Sequence, residues 1–130
     1  MRCSLSDLEE ADAWYESAIA TFESDRGRER FTVAVAQAIH ALIRASDALT
    51  TKYLGKRSTR HEAASVLFGD LIKRDKIDPK FSGFRKLLSK AAAEKSDFDY
   101  KGVAVSQATA ARWLRDVEGF LRAVHEILDR

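Results

Sequence analysis

Six consecutive residues, Lys56-Arg57-Ser58-Thr59-Arg60-His61, concentrate groups able to handle phosphate and protons. An imidazole titrates near neutrality, so His61 can take or give a proton. A guanidinium can grip a phosphate bidentately and stabilise charge that builds on its oxygens, a role open to Arg57 and Arg60. Lys56 adds a compact cation. Upstream, His40, Arg44, Asp47 and Thr51 recur at helical spacing, and in a helix turning about 100° per residue they share one flank. They would sit at the edge of a core, neither buried nor fully outward. From there Asp47 can orient the imidazole and Arg44 can add a phosphate contact. This is the inventory of a metal-independent ribonuclease, in which a 2′-hydroxyl attacks the adjacent phosphate. The plainer alternative leaves Arg57 and Arg60 solvated, His61 as an ordinary first-turn residue and Asp47 bonded to its own neighbours.

Other chemistries find less support. The sequence has no phosphate-cradling Walker loop, dinucleotide glycine fingerprint or nucleophile elbow. The three histidines, His40, His61 and His125, do not show the ligand spacing of a zinc site. No metal and no cofactor are expected. Cys3 is the single cysteine, which rules out a disulfide framework within the chain and fits a reducing compartment. No run of apolar residues is long enough to span a membrane, and Asp7, Glu9, Glu10 and Asp12 interrupt any leader-like segment. A cytoplasmic protein without membrane contact is the expectation.

The net charge of +2 conceals an asymmetry. Residues 52–90 carry eleven Lys/Arg against four Asp/Glu, a net +7, while the rest carries eleven against sixteen, a net −5. A basic middle attracts phosphate, in RNA or in an acidic partner.

The elements that must position these groups are helical. The spacing predicts a first helix opening at Ser6, where Ser6 and Glu9 have capping-box form, with Leu8, Ala11, Tyr15, Ala18 and Phe22 on its apolar face. Residues 24–30 read as a turn. A second helix is expected over 29–54, buried along Val35, Ile39, Leu42, Ser46, Leu49 and Tyr53 and ended by Gly55. The third would open at Thr59, through a Thr59–Glu62 capping box. Asp78-Pro79 marks another start, residues 96–105 read as a loop with Phe98 and Tyr100 turned inward, and Ser106 caps a last helix. Its stripe of Ala110, Leu114, Val117, Leu121, Val124 and Leu128, widened by Trp113, Phe120 and Ile127, is broad enough to pack centrally or against a second copy. Strands lack period-two support. The expected fold is all-α: one domain over 1–130, an antiparallel bundle of about five helices.

Several segments resemble the HEPN family (higher eukaryotes and prokaryotes nucleotide-binding domains). They are Ala38-Ile39-His40-Ala41, Ala45-Ser46-Asp47-Ala48-Leu49, Leu54-Gly55-Lys56-Arg57-Ser58, His61-Glu62-Ala63-Ala64 with Leu67, and, in the last helix, Ala108, Ala111-Arg112-Trp113-Leu114 and Phe120-Leu121. The resemblance implies a helical bundle that dimerises. In many members it implies metal-independent RNase activity of toxin or defence type, often beside a small nucleotidyltransferase partner. The family signature is Arg, four to six residues, then His, with an upstream polar residue, and two protomers bring two such motifs into one cleft. Carried over, Arg57, His61 and Asp47 take the three catalytic roles, and Lys56, Arg60 and Arg44 would contact RNA or nucleotide. Here only three residues separate Arg57 from His61, and counting four places Lys56 in the arginine position. Three readings follow: a HEPN-like RNase or toxin subunit, a non-catalytic HEPN-like module binding a nucleotide or partner protein, and a bundle that only dimerises.

Overall fold

The computed structural model describes residues 4–100 and 104–129; the side chains of residues 4, 61, 62 and 95–100 lie outside that description. Among the described residues the chain forms five α-helices and no strand: α1 (Ser4–Glu23), α2 (Glu29–Leu54), α3 (His61–Lys73), α4 (Phe84–Tyr100) and α5 (Gln107–Leu128), with a 3₁₀ turn over Pro79–Phe81.

The central element is α2, which packs against the other four helices. Its apolar stripe is fully sequestered: Val35, Ile39, Leu42 and Leu49 have no exposed surface, and burying each such side chain is worth about 1.5–3 kcal/mol. Ala34, Ala38, Ala41, Ala45 and Ala48 are equally buried and keep the neighbouring helices close. Gly55 ends α2 in the left-handed region, φ 65°, and its N–H and that of Lys56 return to the carbonyls of Thr51 and Thr50. This satisfies the last turn as a glycine C-cap does.

The α1–α2 pair is antiparallel with a readable register. Phe22 stacks near Phe31, Trp14 lies 4.2 Å from His40 between ring centres, and Glu10 meets Arg44. Helix α5 runs antiparallel to α1: Tyr15 donates to Glu118 at 3.2 Å and His125 meets Asp12 at 2.9 Å. One end of the bundle therefore gathers the start of α1, the end of α2 and the start of α3.

Several boundaries depart from expectation. Helix α1 is already formed at Ser4, so Ser6 lies inside it rather than capping it. Helix α3 begins at His61, and an extended Arg60 that makes no side-chain cap bond stands at the cap position in place of Thr59; the Glu62 side chain of the expected Thr59–Glu62 box lies outside the described residues. Just before it, Ser58 donates its N–H and hydroxyl to Asp47, which ties the junction back onto α2, and the chain bends over residues 59–60. At Asp78 the capping works, with Oδ1 accepting from the Lys80 N–H at 2.8 Å. The result is only a 3₁₀ turn, and α4 starts after Gly83. Helix α4 then continues to Tyr100, through the first half of the stretch expected to be a loop, because residues 91–95 are strong helix formers. The inward placement of Phe98 and Tyr100 falls outside the described side chains. Ser106 caps α5 as expected, its Oγ accepting from the Thr109 N–H at 3.1 Å.

The broad stripe of α5 is core of this chain. Ala110, Trp113, Leu114, Val117, Phe120, Leu121 and Val124 are buried against α1 and α2 and the rest of the core. It is therefore not a surface left over for a second copy. Among the described residues no helix is long and apolar enough to cross a membrane.

Candidate functional site

The junction between α2 and α3 is organised by a carboxylate from α1. Asp7, in the first turn of α1, is completely buried. Arg57 reaches it with two parallel hydrogen bonds, Nη1 to Oδ1 and Nη2 to Oδ2, both 2.8 Å. This fork-to-fork geometry is the strongest form of the guanidinium–carboxylate pair. Arg44 adds a looser contact to Asp7 at 3.8 Å and another to Glu10 at 3.6 Å. The first-turn placement gives Asp7 the positive end of the α1 dipole as well.

Asp47 is buried too, not poised at the core edge as its helical position suggests. The folded-back junction covers it. Its Oδ1 accepts from the Ser58 N–H at 3.1 Å and from the Ser58 hydroxyl at 2.8 Å, and its Oδ2 stands 3.7 Å from Arg57 Nη1. Burial pushes its pKa above the ordinary carboxylate value; the Ser58 hydrogen bonds and the Arg57 charge oppose that rise, and the neighbouring Asp7 adds to it. Arg57 is held cationic still more firmly than usual, first by its hydrogen bonds to Asp7.

Arg57 also divides two hollows. On one side a cleft of about 200 Å³ is lined by His40, Ile43, Arg44, Asp47, Arg57 and Ser58. On the other, a shallower groove of about 470 Å³ runs from Lys56, Arg57, Thr59 and Arg60 onto α3 at Ala63, Val66 and Leu67. The structure thus brings Arg44, Asp47 and Arg57 together in the first hollow, and Lys56, Arg57 and Arg60 in the second. His61 is the first residue of α3; its side chain lies outside the described residues. Arg57 is about one-third exposed, which corrects the picture of a solvated loop arginine.

Three participants had no role assigned from the sequence. Asp7 is the main one. Its signal was legible: it precedes Ala11 by four and Ala18 by eleven, so an acidic residue stands on the buried stripe of α1, and a buried carboxylate requires a partner. Ser58 sat inside the motif, but its hydrogen bonds to Asp47 required the loop path. His40 lay on the flank already noted; its placement in the cleft, stacked beside Trp14, required the α1–α2 register. Among the described residues no three His, Cys, Asp or Glu side chains converge as metal ligands.

What this arrangement can do is fix the junction rigidly and present cations at its rim. The Asp7–Arg57–Asp47 cluster neutralises much of its own charge. Lys56 and Arg60 lie on the outer groove, where a phosphate could approach without entering the carboxylate pair. Compared with known proteins, the chain matches no family model and no curated protein.

Proposed function

We propose that the chain is a HEPN-like, metal-independent endoribonuclease subunit acting at the α2–α3 junction. The observation that carries this reading is the convergence of Asp47 from α2 and Arg57 from the junction, 3.7 Å apart, next to the helix start occupied by His61. In the proposed reaction the His61 imidazole accepts the proton of an RNA 2′-hydroxyl, whose oxygen attacks the adjacent phosphorus. The 5′-oxygen leaves and takes up a proton, giving a 2′,3′-cyclic phosphate and a 5′-hydroxyl. Lys56 and Arg60, with the first N–H groups of α3, favour the phosphate and the charge it gains in the transition state. Arg57 supplies a permanent cation held in position by Asp7, and Asp47 anchors the junction through Ser58 and Arg57. A homodimer bringing two junctions together is part of this proposal, as is a nucleotidyltransferase partner of the toxin-pair kind.

The test is cleavage of RNA in EDTA by purified protein, with mapping of the product ends. The expected result is cyclic-phosphate termini from the wild type and loss of at least about a hundredfold in rate for His61→Ala, with unchanged circular dichroism. Cleavage that persists in His61→Ala, or that requires a divalent ion, would overturn the proposal.

A second reading is favoured by one specific contact. Both terminal nitrogens of Arg57 are engaged by a buried carboxylate, which suits a structural clamp better than a phosphate-binding arginine. On that reading the chain is a non-catalytic module, and Lys56 and Arg60 bind nucleotide or RNA without cleaving it. Intact RNA retained by wild-type protein, and released on Lys56→Ala/Arg60→Ala substitution, would select this reading.

A further inference from the structure

Away from the junction, a groove of about 530 Å³ opens between α4 and α5. On the other side of α4, Gly69 of α3 faces the Arg85 side chain. The first half of α4 therefore lies beside the second half of α3, not beside the α3 start.

Lys80, Lys86, Lys90 and Arg115 line the groove against a single lining carboxylate, Asp116. Lys80 reaches Glu126 at 3.8 Å, and Lys90 sits 5.0 Å from the ring centre of the buried Trp113. Lys86 and Arg115 make no ion pair with any described residue and are exposed. Phe84 and Leu87 supply an apolar wall.

The groove also contains two glycines that the chain itself does not require. Gly119 lies inside α5, where glycine is a poor helix former, and Gly83 precedes α4. A Cβ at either position would meet nothing within 4 Å, and neither has a positive φ. Backbone conformation and internal packing are therefore both indifferent to a side chain at these two places. What they share is that both line the same basic groove, where a missing side chain leaves bare backbone for something outside the chain to approach.

We propose that this groove binds a segment of single-stranded RNA, with Lys86, Lys90 and Arg115 on its phosphates and the strand lying close over Gly83 and Gly119. A cationic groove with an apolar wall is the arrangement that tracks a single strand, because phosphates take the charges and base faces take the apolar surface. The groove follows from the residues named; the choice of RNA as the polyanion rests on the proposed function above. The groove would hold the substrate strand at a place distinct from the α2–α3 junction.

The test uses a fluorescently labelled 2′-O-methyl oligoribonucleotide, which lacks the attacking hydroxyl and so reads binding alone. Anisotropy is measured against salt for the wild type, Lys86→Ala/Arg115→Ala and Gly119→Leu. The double variant is expected to bind about tenfold more weakly, with a log–log salt slope flatter by about 1.4, about 0.7 for each lost phosphate contact. Gly119→Leu fills the groove and should weaken binding to a similar extent while its helix signal and melting temperature hold or rise, which separates lost binding from lost folding. Wild-type affinity in both variants, or no binding by the wild type, would overturn the proposal. So would a change in sedimentation mass of Gly119→Leu without RNA, since that would make the groove an interface between copies. Groove-dependent binding without cleavage would sink only the nuclease reading; His61-dependent cleavage with groove-independent binding would sink only this one.

Discussion

The α2–α3 junction and the α4–α5 groove are both rich in Lys and Arg, yet the fold treats their charges in opposite ways. At the junction, Arg57 is paired bidentately with the buried Asp7 and stands near the buried Asp47, while Arg44 turns to Asp7 and Glu10. Its cations serve the fold first. In the groove, Lys86 and Arg115 face solvent without an ion-pair partner among the described residues, and two glycines leave the backbone bare. Basic composition alone does not mark a phosphate site; what matters is whether carboxylates have already been placed against the cations. A buried carboxylate needs its cation far more than an exposed cation needs any carboxylate, because desolvation falls on the buried partner.

The sharpest way to break this comparison is Arg57→Ala. It leaves Asp7 buried without its bidentate partner, and unfolding in urea should show a loss of about 3–5 kcal/mol, the range for breaking one side of a buried pair. Arg57→Lys should recover only part of that, because an ammonium cannot supply the two-pronged contact. A loss below about 1 kcal/mol, the range of an exposed pair, would mean that Arg57 is held no more tightly than the groove cations.

Next in size is a pair of glycine substitutions with opposite signs. Gly55→Ala forces a side chain into the left-handed region that ends α2 and should cost about 1–2 kcal/mol. Gly119→Ala places a methyl in open space within α5 and should stabilise by up to about 1 kcal/mol. Thermal melts of the two variants check this directly. A destabilised Gly119→Ala would mean that the glycine serves the fold and would remove one support for the groove.

A smaller effect is the pH dependence of Asp47→Asn. Burial raises the Asp47 pKa in the folded chain, so between the ordinary carboxylate value and the raised one the folded state binds more protons than the unfolded state. Stability then falls as pH rises through that window, and the cost remains above it. Asparagine keeps an acceptor for Ser58 without the charge. Relative to wild type, Asp47→Asn should therefore gain stability over the pH interval above the ordinary carboxylate value, as read from urea midpoints at each pH. A relative loss over that interval would show that the attraction of Arg57 outweighs desolvation.

The smallest expected change is in the groove itself. Lys86→Ala/Arg115→Ala should alter stability by no more than about 0.5 kcal/mol, whatever it does to RNA binding. A larger loss would mean that these cations, like Arg57, are tied into the fold.

The sequence by itself determined the helices and their apolar faces. The α2 span, its Gly55 terminus, the Ser106 cap and the α5 stripe are local: each follows from periodicity or from a residue whose backbone preference acts within one turn. It also placed Asp47 and Arg57 near the same end, since a short connection leaves an antiparallel pair little choice. The HEPN-like activity inferred there stands as a proposal. Only the tertiary structure decided where the charges went. Asp7 and Arg57 are fifty positions apart, and no local rule pairs them; the α1–α2 register does. The path of the junction was likewise a tertiary matter, since Ser58 bonds to Asp47 eleven positions earlier on α2. The α5 stripe became core because α1 and α2 cover it, a fact of packing that the same amphipathic pattern could have satisfied with a second copy. The basic middle of the chain divided into a clamp and an open groove because burial, which sequence patterning locates only by helix face, determined which cations met a carboxylate.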